Sequence, residues 1–306
     1  MLLGGLLVGL LAGSGCSTAR VGMKDSGSLQ NESHLLQGPG SLAQETGNPA
    51  SGGSAPLYGP APIQEKPITL VLGGGLARGY SFLGVLQALK QAKVQVAAIY
   101  GRQMGAVVGA LYGLHGNVNE LEWGLLKLKL HEVYRPKTGF LFAEKRLERN
   151  SSALQANLSR VFGQKQLSQM KIPVHVSVFD PISQRFSLIQ DGSCAAVLAQ
   201  TWEEEASGSD PGSGDHALVR EARSAALGSL VVLVEGIEQT DPNPGTTDDL
   251  RFADLVIRPK LNGIGELDFQ KATQAALLGK KATQMKLKEL FQLMGRTQND
   301  QGWEKR

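Results

Sequence analysis

The feature that most constrains this chain is the stretch from residue 68 to residue 113, where two strand-to-helix turns rich in glycine follow each other closely. Ile68 to Leu72 is a short apolar run, the length of a buried strand. It leads into Gly73-Gly74-Gly75-Leu76-Ala77-Arg78-Gly79. A helical pattern follows, with Leu83, Leu86 and Leu89 on one side and Gln87, Lys90 and Gln91 on the other. Val94 to Ile99 reads as a second buried strand, then come Gly101-Arg102-Gln103-Met104-Gly105 and an apolar helix from Ala106 to Leu114. Strands alternating with helices in this way imply a mainly parallel central sheet covered on both faces, an α/β three-layer sandwich.

Both turns fall at the carboxyl ends of strands, where open α/β sheets do their chemistry. Glycines let backbone N–H groups approach a ligand closely, and a helix N-terminus behind them favours an anion or a developing oxyanion. The second turn has the spacing of a nucleophile elbow, Gly-x-Ser-x-Gly, in which a sharp bend presents one side chain above the sheet.

GGGLARG, the helix ending near LQALK, the next strand, and then G-x-x-M-G-A-V-V-G-A-L-Y together resemble the patatin-like phospholipase family. The resemblance implies a patatin-like fold and a serine lipid acyl hydrolase frame. It implies an oxyanion hole at Gly73, Gly74, Gly75, Leu76, Arg78 and Gly79, and an elbow formed by Gly101, Arg102, Met104 and Gly105. In that family the elbow serine is the nucleophile, and an Asp in a later Asp-Gly-Gly or Asp-Gly-Ala turn completes a Ser–Asp dyad. Here Gln103 stands at the nucleophile position. A primary amide has no proton to lose at usable pH and a poor lone pair, so it does not replace an activated hydroxyl. The expectation is therefore a catalytically impaired member that binds a lipid or an anion, with a phospholipid or fatty acid as ligand. Arg102 supplies a cation suited to a phosphate or carboxylate, and equally reads as a surface charge. Gln103 itself could fill the hole through its amide oxygen. The alternative is an active lipid hydrolase with another nucleophile, Ser81 first and Cys194 second.

The dyad carboxylate is less plainly placed. Counting back from the helix read at Leu218 to Arg223 puts it at Asp210, in a turn Asp210-Pro211-Gly212 where proline removes one backbone N–H. Read without the resemblance, the Gly, Ser and Asp residues around Asp210 and Asp215 form a solvated loop.

The remainder of the chain fits an exported, tethered domain. Residues 1 to 15 form an apolar segment too short for a bilayer core, which needs roughly 20 helical residues. Ending in small residues before Cys16, it reads as a signal peptide with a lipobox, and residues 1–16 imply a lipoprotein anchored in the bacterial envelope, with membrane lipid as its partner. Residues 17–66, rich in Gly, Ser, Pro, Gln and Asn, read as a disordered tether with a reach of roughly 40 Å. Residues 67–294 form the domain and 295–306 a polar tail. Within the domain, further strands are expected at Ile172 to Asp180, Arg185 to Ile189, Leu230 to Val234 and Phe252 to Ile257, and a final helix from Asp268 through Leu290.

Other functions find little support. The net charge of +3 and the absence of basic–aromatic interleaving argue against nucleic acid. A dinucleotide site would want an acidic residue after the second strand, where Ile99-Tyr100-Gly101 has none, and no Gly-Lys-Ser/Thr marks a P-loop. The two cysteines and five scattered histidines carry no zinc spacing, so no metal and no cofactor is expected.

Overall fold

The computed structural model describes residues 65–136, 147–180, 182–183, 185–202, 211–235, 249–299 and 302–304. The expected leader, Cys16 and nearly all of the tether lie outside the described residues. In chain order the elements are β1 (Ile68–Leu72), α1 (Ser81–Gln91), β2 (Val96–Gly101), α2 (Met104–His115), α3 (Val118–Lys127), α4 (Leu130–Val133), β3 (Tyr134–Pro136), β4 (Leu147–Arg149) and α5 (Ser151–Phe162). They continue with β5 (Val174–Asp180), β6 (Arg185–Ile189), α6 (Cys194–Gln200), α7 (Pro211–Ala225), β7 (Leu230–Val234), β8 (Leu255–Ile257), α8 (Ala272–Met294), β9 (Thr297–Asn299) and β10 (Gly302–Glu304).

Six strands form one sheet in the order β6-β5-β2-β1-β7-β8. All pairings are parallel except β5 with β6. At the carboxyl end, Leu72 of β1 sits between Gly101 of β2 and Val234 of β7. The glycine turn and the elbow therefore leave adjacent central strands side by side. Period-two alternation sorts β1: Ile68, Leu70 and Leu72 join the large core under α1 and α2, while Val71 faces Leu218, Val219 and Ala222 of α7. These two faces make the three layers.

The α2 helix is buried from Met104 through Gly113, as expected of a helix apolar all round. Against α1 lies α8, and the two approach at glycines. A Cβ on Gly84 would stand 1.7 Å from the Ala276 carbonyl oxygen, and one on Gly279 1.9 Å from that of Ser81. Arg296 anchors the end of α8 by donating to the carbonyls of Ala92 and Lys93 and pairing with Glu65.

Three boundaries differ from the periodicity. The second strand begins at Val96 because Val94 closes the turn after α1 by bonding to Leu89. The last sheet strand is only Leu255–Ile257, since Asp249–Phe252 winds into a short 3-10 helix. The polar tail carries the small antiparallel pair β9–β10.

Candidate functional site

At the bend between β2 and α2, Gln103 has φ 48° and ψ −121°. Only glycine adopts that region without strain, and holding another residue there costs about 1–3 kcal/mol. The bend is held from all sides. Gly105 packs on the end of β1, where a Cβ would meet the Leu72 carbonyl oxygen at 2.3 Å. A Cβ on Gly101 would strike Ala106 at 2.6 Å, and one on Gly79 would strike Met104 at 2.4 Å. The glycines of both turns thus let the loop, the elbow and the strand end stack in contact.

Each of the three consecutive glycine amides ends on an acceptor from the chain itself. Gly73 donates to the Val234 carbonyl at 3.1 Å. Gly74 donates to Asp215 Oδ1 at 2.9 Å. Gly75 donates to Gln103 Oε1 at 3.1 Å. The donors that the resemblance assigns to an oxyanion are therefore satisfied from within, one by a carboxylate and one by the amide at the nucleophile position. Leu76, next in the turn, is buried in the main core. Arg78 is directed elsewhere, with its Nε donating to the Ile264 carbonyl at 2.8 Å.

Arg102 is 1% exposed, so the surface-charge reading does not hold. It meets a carboxylate, but one from its own chain: Nε donates to Asp215 Oδ1 at 3.0 Å, and the guanidinium closes a second contact at 2.9 Å. One carboxylate oxygen thus gathers two guanidinium donors and the Gly74 amide.

Asp215 corrects the reading of its segment as a solvated loop. It is 8% exposed and lies on the first turns of α7. Pro211 does not break structure here; it is the first residue of the helix, where its fixed φ and missing N–H are harmless. The signal was present in the sequence. Asp215, Leu218, Val219 and Ala222 fall at i, i+3, i+4 and i+7, so the apolar stripe extended back by one turn reaches the carboxylate. Asp210 lies outside the described residues.

The other candidate nucleophiles are enclosed. Ser81 is fully buried at the start of α1, and its Oγ has no hydrogen-bond partner to act as base. Cys194 is fully buried as well, and burial pushes its thiol up to about 11. Among the described residues no group of three or more His, Cys, Asp or Glu is placed to hold a metal ion.

The strain at position 103 can be measured apart from the amide. Gln103→Gly and Gln103→Ala both remove the hydrogen bond to Gly75, and only glycine relaxes the backbone. The glycine variant is expected to be the more stable by about 1–2 kcal/mol in urea denaturation. Equal midpoints would mean that the bend stores no strain.

A family model described as patatin-like phospholipase matches residues 70–233, a span that runs from within β1 to within β7 and holds both turns and Asp215. Patatin-like phospholipase domain-containing protein 6 of Mus musculus is 31% identical over 131 residues, covering 41% of this chain and 9% of its own. An uncharacterized NTE family protein of Mycobacterium bovis is 28% identical over 137 residues, covering 43% of this chain and 36% of its own. This chain therefore spans well under two thirds of either relative. Human GIVD cytosolic phospholipase A2, solved with a fluorophosphonate inhibitor, aligns over 75% of this chain and 59% of its own at 12% identity, with a TM-score of 0.42.

Proposed function

This chain belongs to the patatin-like phospholipase family, and on that premise we propose that it is a non-hydrolytic member, a lipid- or anion-binding protein of the bacterial envelope tethered through a lipidated Cys16. One observation carries the loss of hydrolysis: the Gly75 amide, which would receive the developing oxyanion, already holds Gln103 Oε1 at 3.1 Å. A substrate carbonyl entering the turn would have to displace that amide, and would still find no attacking group. Removing one donor from an oxyanion hole costs about 10²–10³ in kcat, and loss of the nucleophile lies on top of that. Neither Ser81 nor Cys194 offers a way round, since both are fully buried.

Asp215, beside the elbow, takes the dyad position in this reading in place of the expected Asp210, and it is diverted as well. One of its oxygens already accepts from the Gly74 amide and from two guanidinium nitrogens of Arg102. Introducing serine by Gln103→Ser is expected to leave the elbow slow, because Asp215 stays paired with Arg102.

The test is a short-chain chromogenic ester together with a fluorophosphonate probe. The unaltered protein is expected to show the same background turnover as Gln103→Ala and no labelled serine. Turnover above that background, or stoichiometric labelling at one site, would overturn the reading. The envelope assignment has its own check: globomycin-sensitive processing and palmitate incorporation that disappear in Cys16→Ala.

A further inference from the structure

The space between the edge strand β8 and α8 is a half-open groove of about 360 Å³, within the range of small-molecule sites. Its floor is apolar, built from Val256, Leu278, Ala282 and the largely exposed Met285. Its rim carries Arg258, Lys260, Lys281 and Lys286 and no acidic side chain. Two of these cations are already engaged: Arg258 with both oxygens of Glu235, at 2.5 and 3.2 Å, and Lys286 with Glu289 at 2.7 Å. Among the described residues Lys260 and Lys281 have no carboxylate partner. A groove of the same volume on the other side of α8, against α1 and α3, differs in charge. There Glu122 stands among the lining with Lys129 and His131, so no single sign dominates.

An apolar trough under two cations without carboxylate partners is complementary to one kind of molecule: a hydrocarbon chain ending in an anion. We propose that the β8–α8 groove binds a single long-chain fatty acid, with its chain along Leu278, Ala282 and Met285 and its carboxylate between Lys260 and Lys281. The inference rests on the lipid-binding reading above and adds where the lipid sits. It also agrees with the state of the elbow, whose glycine amides are occupied by the chain's own acceptors. The longer stems of the two lysines cover hydrocarbon while their ammonium groups meet the carboxylate.

Isothermal titration of the full chain with palmitate below its micellar range tests this, with dodecyl maltoside and inorganic phosphate as probes lacking the charge or the chain. Palmitate is expected to bind saturably at one site. The variant carrying Lys260→Gln and Lys281→Gln is expected to bind roughly 10-fold or more weakly at low salt, the gap narrowing as salt rises. Ala282→Phe, which fills the trough at a partly exposed position, is expected to abolish binding while circular dichroism and the melting transition stay close to those of the unaltered protein. Dodecyl maltoside is expected to bind weakly and phosphate not at all. Palmitate binding that survives both variants overturns the groove but leaves the lipid-binding reading standing. Phospholipid vesicle binding without palmitate binding does the same, whereas binding of neither overturns both.

Discussion

Arg102→Met is expected to lower the stability of the folded chain by about 3–5 kcal/mol, the usual loss when one partner of a buried ion pair is removed. The argument lies in what stays behind. The Asp215 side chain is 11% exposed and, among the described residues, would keep one donor, the Gly74 amide. A carboxylate shielded from water with one neutral donor is poorly compensated. The companion variant sharpens the result. Arg102→Met combined with Asp215→Leu removes both charges, and is expected to be less destabilised than the sum of its single variants. The difference measures the coupling of the pair. Urea denaturation followed by tryptophan fluorescence reads these values, with an unchanged slope expected if only the native state is affected. A loss below about 1 kcal/mol for Arg102→Met would place the guanidinium in contact with water, contrary to its 1% exposure.

Gly279→Ala is expected to be nearly as disruptive, at about 3 kcal/mol. Its new methyl would stand 1.9 Å from the Ser81 carbonyl oxygen, which is backbone and has no rotamer to yield. Gly84→Ala meets the same obstacle from the other helix, at 1.7 Å from Ala276. Either substitution must push α1 and α8 apart. Together they should fall short of additivity, because one separation accommodates both methyls. The effect reaches the site, since Ser81 follows directly on Ala77–Tyr80, the 3-10 turn that closes the glycine loop. Separated helices should therefore also loosen Gly75 from Gln103, visible as faster amide exchange at the glycine turn. A stable Gly279→Ala protein with unchanged exchange would mean that the helices do not meet in this way.

These two effects describe one design. The elbow residue is strained, the carboxylate beside it is held by a buried arginine, and the glycine amides face acceptors of the chain itself. A site of this kind retains the architecture that positions a nucleophile, but its hydrogen-bonding capacity is spent on acceptors of its own chain. That is why the lipid site proposed for this protein is sought outside the elbow, in the cationic trough at the sheet edge.

The neighbourhood relations encoded locally were open to reading without coordinates. A run such as Ile68 to Leu72 followed by three glycines, or Leu230 to Val234, declares a buried strand and its exit, because period, length and backbone freedom are properties of the segment itself. The two turns and the amide at position 103 follow from such signals, whereas their juxtaposition on adjacent strands comes from the sheet order. Asp215 did not, because its meaning depends on a helix that begins inside a stretch of Gly, Ser, Pro and Asp, whose composition argues for a loop. Only packing against Gly73, Gly74 and Arg102 turns it from a solvated charge into half of a buried pair. The direction of Arg102 was likewise undecided by residue type, since a guanidinium beside a helix N-terminus suits an external anion as well as an internal one. Segment chemistry determined the frame; the distances between segments far apart in the chain, which no local pattern contains, decided what fills it.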